Sequence, residues 1–138
     1  MKILLFSHGS DIDGMGSIII LKSYFDNIDY HFAEISDLDS LIFDEINSGN
    51  IYNYDMVFVT DLTPKNETLN YIESDSKLKD KFRVIDHHQT NYDRASDYSF
   101  VNIVVEENNQ KTCATSLFYD YLVNNNLVKG KLTFSNPE

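Results

Sequence analysis

Along the 138 residues, short apolar runs alternate with stretches in which apolar residues recur every three or four positions, the pattern of strands followed by helices. Lys2 to Ser7 (KILLFS) is an apolar run of strand length, and from Gly14 onward Ile18, Leu21 and Phe25 mark one face of a helix. Tyr30 to Ile35 alternates as a second strand. Ser36 and Asp37 stand as caps before Leu38, Leu41, Ile42 and Ile46, and Asn47 to Asn50, with Gly49, closes that helix. Asp55 to Thr60 (DMVFVT) reads as a strand buried on both faces, and Thr63-Pro64 as an N-cap with proline at the first helical position. Phe82 to Ile85 predicts a fourth strand, Phe100 to Val105 a fifth, and Ala114 to Leu122 an amphipathic helix opened by Thr112. Residues 130–138 carry no clear element.

Strands that alternate with helices predict an α/β fold: a doubly wound, mainly parallel five-stranded sheet with helices on both faces and right-handed crossovers. No repeat, low-complexity tract or Pro/Gly linker divides residues 1–138, so a single domain is expected.

Composition narrows the function. Twenty-two acidic against 11 basic residues give a net charge of −11, the opposite of the basic stripe that grips a nucleic-acid backbone, so long duplex nucleic acid is not an expected partner. No apolar run approaches the roughly 20 residues of a membrane span. The single cysteine, Cys113, cannot form an internal disulfide, and MKILLFSHGS has no signal-peptide pattern, which favours the cytoplasm. Cys113 itself reads as a small buried apolar residue, and His31, inside the second strand, as structural.

The candidate chemistry lies directly after three predicted strands: His8, Asp11 and Asp13 after the first, Asp61 after the third, and Asp86, His87 and His88 at the end of the fourth. In an open parallel sheet, residues just past the carboxyl ends gather at one rim, where such sheets place ligands. Asp61 taken alone also reads as a helix N-cap. Imidazoles and carboxylates without thiolates suit Mn²⁺, Mg²⁺, Co²⁺ or Zn²⁺, and two such ions about 3.5–4 Å apart would serve hydrolysis of a phosphoester. Gly14 and Gly16, flanking Met15, allow a tight turn into a helix whose first amides, with Ser17, would face a phosphate.

These residues stand in VIDHHQT, SHGSDIDGMGS (Ser7 to Ser17), VTDLT (around Asp61) and TCATSLFYDYL (Thr112 to Leu122), and together they resemble the DHH phosphoesterase superfamily over nearly the whole chain. The resemblance implies two Mn²⁺-type ions. His8 and Asp11 would hold the first, Asp13 and His87 the second, and Asp61 would bridge them. His88 would contact the scissile phosphate or protonate the leaving oxygen, with Asp86 orienting a histidine. The two residues between His8 and Asp11 depart from the spacing of several branches of the superfamily.

Family members also carry a further metal-binding Asp and a substrate-selecting second domain beyond the TCATSL-type helix. Neither lies within residues 1–138, so the expectation is an N-terminal domain cut short before them. The DIDGMGS form looks closest to enzymes acting on short oligonucleotides, dinucleotides or cyclic nucleotides. Pyrophosphate or polyphosphate hydrolysis and a non-catalytic metal- or nucleotide-binding module are the alternatives. A small phosphorylated or nucleotide substrate is the expected partner, and a homodimer stays open.

Overall fold

A computed structural model of the chain describes residues 1–9 and 12–128, with the side chains of residues 12–14 outside the description. In chain order it contains β1 (Lys2–His8), α1 (Ile12–Tyr24), β2 (Asn27–Ala33), α2 (Leu38–Asn47), a 3-10 turn (Asn50–Asn53) and β3 (Met56–Thr60). There follow α3 (Asn66–Ser74), α4 (Ser76–Lys81), β4 (Phe82–Asp86), α5 (Gln89–Ala95), β5 (Val101–Ile103), a hairpin of β6 (Glu106–Glu107) and β7 (Gln110–Lys111), and α6 (Ala114–Asn124).

Five strands form one parallel sheet in the order β2-β1-β3-β4-β5. Because side chains alternate across a strand, β1 feeds two cores at once. Leu4 and Phe6 join Val57, Val59 and Val84 against α2, α3, α4 and α5, through Leu38, Ile42, Leu69, Ile72, Leu78 and Ala95. Ile3 and Leu5 join Phe58 and Ile85 on the other face, against Ile18 and Leu21 of α1 and Phe118 and Leu122 of α6. Ile3, Leu4, Leu5 and Phe6 are all fully buried, each contributing roughly 1.5–3 kcal/mol as an upper figure. The sheet is therefore doubly wound, with helices on both faces. The winding reverses between β1 and β3, which places a crevice at the carboxyl ends of those two strands.

Several boundaries differ from the sequence expectation, each for a local reason. β2 begins at Asn27 rather than Tyr30, because an edge strand leaves most of its residues partly exposed and tolerates Asn27 and Asp29. α1 begins at Ile12, so Gly14 and Gly16 lie inside the helix and not in a turn leading to it. Gly16 has a packing role: a β-carbon there would meet Thr115 Oγ1 of α6 at 2.2 Å. α3 begins at Asn66, not at Thr63-Pro64. Its start is capped from outside, Asp39 Oδ1 accepting from the Lys65 amide at 2.9 Å and the Thr68 hydroxyl at 2.5 Å. Asp37 precedes α2 without capping it through its side chain.

α4, of six residues, and α5, of seven, fall below the length at which periodicity speaks. β5 is only three residues long, because the chain turns away into a polar hairpin through Asn108 and Asn109, whose φ values of 55° and 65° are those of a tight hairpin turn. The Thr112 hydroxyl does not cap α6. It donates to the carbonyls of Val104 and Val105. Cys113 is exposed rather than buried, since it occupies the N-cap position ahead of the buried stripe Ala114, Leu117, Phe118 and Leu122. His31 stacks on Phe6 and meets Glu45 Oε2 of α2 at 2.9 Å, an acidic neighbour that the sequence did not reveal. No helix among the described residues is long and apolar enough to cross a membrane. Residues 130–138 lie outside the described residues.

Candidate metal centre

His8 is the last residue of β1, Asp61 the first after β3, and Asp86 the last of β4, with His87 and His88 directly following. Parallel register brings these ends to one rim, and His8 and Asp61 flank the point where the winding reverses.

Asp61 sits at the centre. Its φ of 67° is uncommon for a residue with a side chain, although Asp tolerates it better than most. Such strain of about 1 kcal/mol or more persists where the surroundings fix it. Here the Asp61 amide donates to the Ile85 carbonyl at 3.0 Å, extending the β3–β4 ladder by one residue while the side chain turns into the crevice. That carboxylate is 2% exposed. Its two oxygens face two different imidazoles: Oδ1 lies 2.8 Å from His87 Nε2, and Oδ2 lies 3.7 Å from His8 Nδ1. The N-cap alternative for Asp61 is thereby excluded, since α3 starts five residues later under the cap provided by Asp39.

Asp86 plays a different part. Fully buried, it accepts four hydrogen bonds of 2.7 Å: Oδ1 from the His87 amide and from His88 Nδ1, Oδ2 from the Thr63 hydroxyl and from the Asn91 amide nitrogen. A carboxylate has about four acceptor positions, so all are taken. One ligand atom each from Asp61, Asp86, His87 and His88 lies within 4.8 Å of the others, a spacing that would admit Asp86 to a metal shell. Its saturated oxygens argue otherwise: Asp86 fixes the His88 ring by Nδ1, which leaves Nε2 to meet a ligand. Arg94 stiffens this support, donating to Asn91 Oδ1 at 3.0 Å and to the Thr63 carbonyl at 2.9 Å.

A second carboxylate orients His8. Glu34, one residue past β2, lies 3.1 Å from His8 Nε2, in the arrangement by which carboxylates commonly direct a ligating imidazole. Sequence reasoning missed Glu34, Thr63 and Asn91. Glu34 had a findable signal, because a residue just past β2 must border the end of β1 in a parallel pair, and His8 is in register with Ala33. Asn91 had none, lying in the first turn of an element that the periodicity did not show.

Of the remaining candidates, Asp11 lies outside the described residues, as do the side chain of Asp13 and the surroundings of Gly14. Ser17 is fully buried within α1, and its hydroxyl finds no hydrogen-bond partner among the described residues. Gly16 is inside the helix, against Thr115.

His8, Asp61 and His87 form a donor set suited to divalent cations of the Mn²⁺ or Zn²⁺ kind. Two atoms bound to one ion at about 2.1 Å stand about 3.0–3.4 Å apart for right-angled to tetrahedral geometry. The 2.8 and 3.7 Å separations of the two imidazoles from Asp61 bracket that range. Beside the set lies a cavity of about 320 Å³, whose polar lining residues are His8, Asp61, His88, Thr90 and Asn91.

A doubly wound α/β domain with a histidine–carboxylate centre at its switch point is the class that this fold and site define. The chain belongs to the DHH family: residues 2–135 match the DHH family, N-terminal domain. It is similar to the oligoribonuclease NrnB of Bacillus subtilis (strain 168), 28% identical over 128 residues that make up 91% of this chain and 32% of the relative. It also shares its fold with a solved structure of an uncharacterized protein from Helicobacter pylori G27, at a TM-score of 0.77 and 19% identity, over 98% of this chain and 40% of the other. The chain thus spans about a third of the length of the curated relative it matches.

Proposed function

We propose that this chain is the metal-holding part of a phosphoesterase that hydrolyses phosphodiester bonds in short oligonucleotides, dinucleotides or cyclic nucleotides. The observation that carries this reading is Asp61, whose two buried oxygens face His8 on one side and His87 on the other. A carboxylate so placed is suited to bridge two cations. Membership of the DHH family supports hydrolysis of phosphoesters, and similarity to an oligoribonuclease supports nucleotide substrates.

Bound at this centre, two divalent cations would supply activation of a water and neutralisation of phosphate charge. The chain's own residues do the rest. Asp61, His8 and His87 hold the centre, and Glu34 keeps the His8 ring turned toward Asp61. Asp86, saturated by four donors, holds His88 with Nε2 toward the cavity, where that nitrogen would hydrogen-bond a phosphate oxygen or pass a proton to the leaving oxygen.

Calorimetric titration of Mn²⁺ into the wild-type chain and Asp61→Asn, with dinucleotide and pyrophosphate hydrolysis measured on the same samples, tests the reading. Loss of a supporting carboxylate typically costs about 10–100-fold in metal affinity, so loss of the central one is expected to exceed that range. Dinucleotide hydrolysis is expected to fall with it. Unchanged Mn²⁺ affinity in Asp61→Asn would sink the bridging role, and faster turnover of pyrophosphate than of the dinucleotide would reassign the substrate.

A further inference from the structure

The 320 Å³ cavity beside the metal centre has lining residues that the proposed chemistry does not use. Besides His8, Asp61, His88 and Asn91 it is lined by Ile35, Leu62 and Thr90. Leu62, 5% exposed, forms part of the core, but Ile35 is 58% exposed. It stands two residues beyond β2 and three before α2, in a turn where no element obliges an apolar residue.

We infer that Ile35, together with Leu62, is the apolar seat for a nucleobase or sugar face of the substrate, so that this cavity selects nucleotide esters over inorganic polyphosphates. The inference rests on the reading of the site given above and deepens it.

The physical argument is one of matched surfaces. A pyrophosphate or polyphosphate is oxyanionic on every side, and seating it against Ile35 and Leu62 would strip water from oxygens that those side chains cannot satisfy. A nucleotide divides the task. Its phosphate meets His88 and the centre around Asp61, while a ring face covers Ile35 and removes apolar surface from water. The volume agrees, lying at the lower end of the range of about 300–1,000 Å³ for small-molecule sites. Asn91 cannot confer this selectivity alone, because its amide serves Asp86 and its carbonyl accepts from Arg94. Thr90 supplies a polar group in the same lining for a ribose or base substituent.

The test is a binding measurement, so it does not depend on turnover. With Mn²⁺ present, the affinities of a methylenephosphonate dinucleotide, which cannot be hydrolysed, and of inorganic phosphate are measured for the wild type, Ile35→Ala and Ile35→Leu. Truncating a partly covered Ile is expected to lower the ratio of dinucleotide to phosphate affinity about fivefold, and Leu to restore it. Circular dichroism of Ile35→Ala should match the wild type, since the side chain is more than half exposed. A ratio unchanged in Ile35→Ala, a loss that Leu does not restore, or a wild-type chain that does not prefer the dinucleotide would each overturn the inference. Failure of the phosphodiesterase reading would look different: the ratio would shift as expected while the Mn²⁺-loaded chain left hydrolysable dinucleotides intact.

Discussion

Substituting Gly16 by alanine should destabilise this protein, although the same change in an ordinary helix interior stabilises by about 1 kcal/mol. The reason is the close approach of α1 to α6. A β-carbon at Gly16 would lie 2.2 Å from Thr115 Oγ1, 2.9 Å from its Cγ2 and 3.1 Å from its Cβ. All three Thr115 side-chain atoms crowd the same point, so no rotation about χ1 clears it, and the helices must separate. Overpacking of this kind costs roughly 1–3 kcal/mol. Set against the gain in helix propensity, the net expected loss is on the order of 1 kcal/mol, or a few degrees in Tm for a domain of this size. Urea denaturation of the metal-free protein would measure it. The double variant Gly16→Ala/Thr115→Ala should recover most of the deficit, because the two sites couple through direct contact. A Gly16→Ala variant as stable as the wild type, or losses that simply add in the double variant, would refute the account.

Two further predictions concern the site and the far end of the sheet. Glu34→Gln keeps the shape beside His8 but weakens the hold on its Nε2, so Mn²⁺ affinity should fall about tenfold, with stability of the metal-free chain little changed. A titration showing equal affinity would remove Glu34 from the centre. Tyr54, held up to about 12 by burial and by its 2.5 Å hydrogen bond to Asp29, favours its neutral form in the folded state. A raised folded pKa means that this contribution to stability is complete below about pH 10 and is lost as pH climbs toward 12. Ultraviolet titration should therefore show a late tyrosinate transition that is absent from Tyr54→Phe, and its persistence in that variant would assign it to another tyrosine.

How much of this was legible beforehand depended on whether a residue's role was local. The buried strands β1, β3 and β4 announced themselves, since strands covered on both faces must be apolar throughout. The short helices α4 and α5 did not, and neither did the hairpin β6–β7, whose residues are all exposed and carry no apolar signal. Thr63 shows the limit of local rules well. Followed by proline, it has every mark of an N-cap, yet its hydroxyl is drawn to the buried Asp86, and Asp39 caps the helix instead. Thr112 was likewise claimed by carbonyls of the preceding strand exit.

By itself the sequence determined the alternation of the five sheet strands with the longer helices, the parallel sheet, and the clustering of His8, Asp61, Asp86, His87 and His88 at one rim, because those follow from apolar periodicity and from the common direction of strands in a wound sheet. Only the tertiary structure decided how the two buried carboxylates differ. Asp61 turns both oxygens toward imidazoles from separate strands, while Asp86 spends every acceptor position on Thr63, Asn91, His88 and the His87 amide. That distinction depends on contacts between residues up to 53 positions apart, such as His8 with Asp61, and no window of sequence contains it.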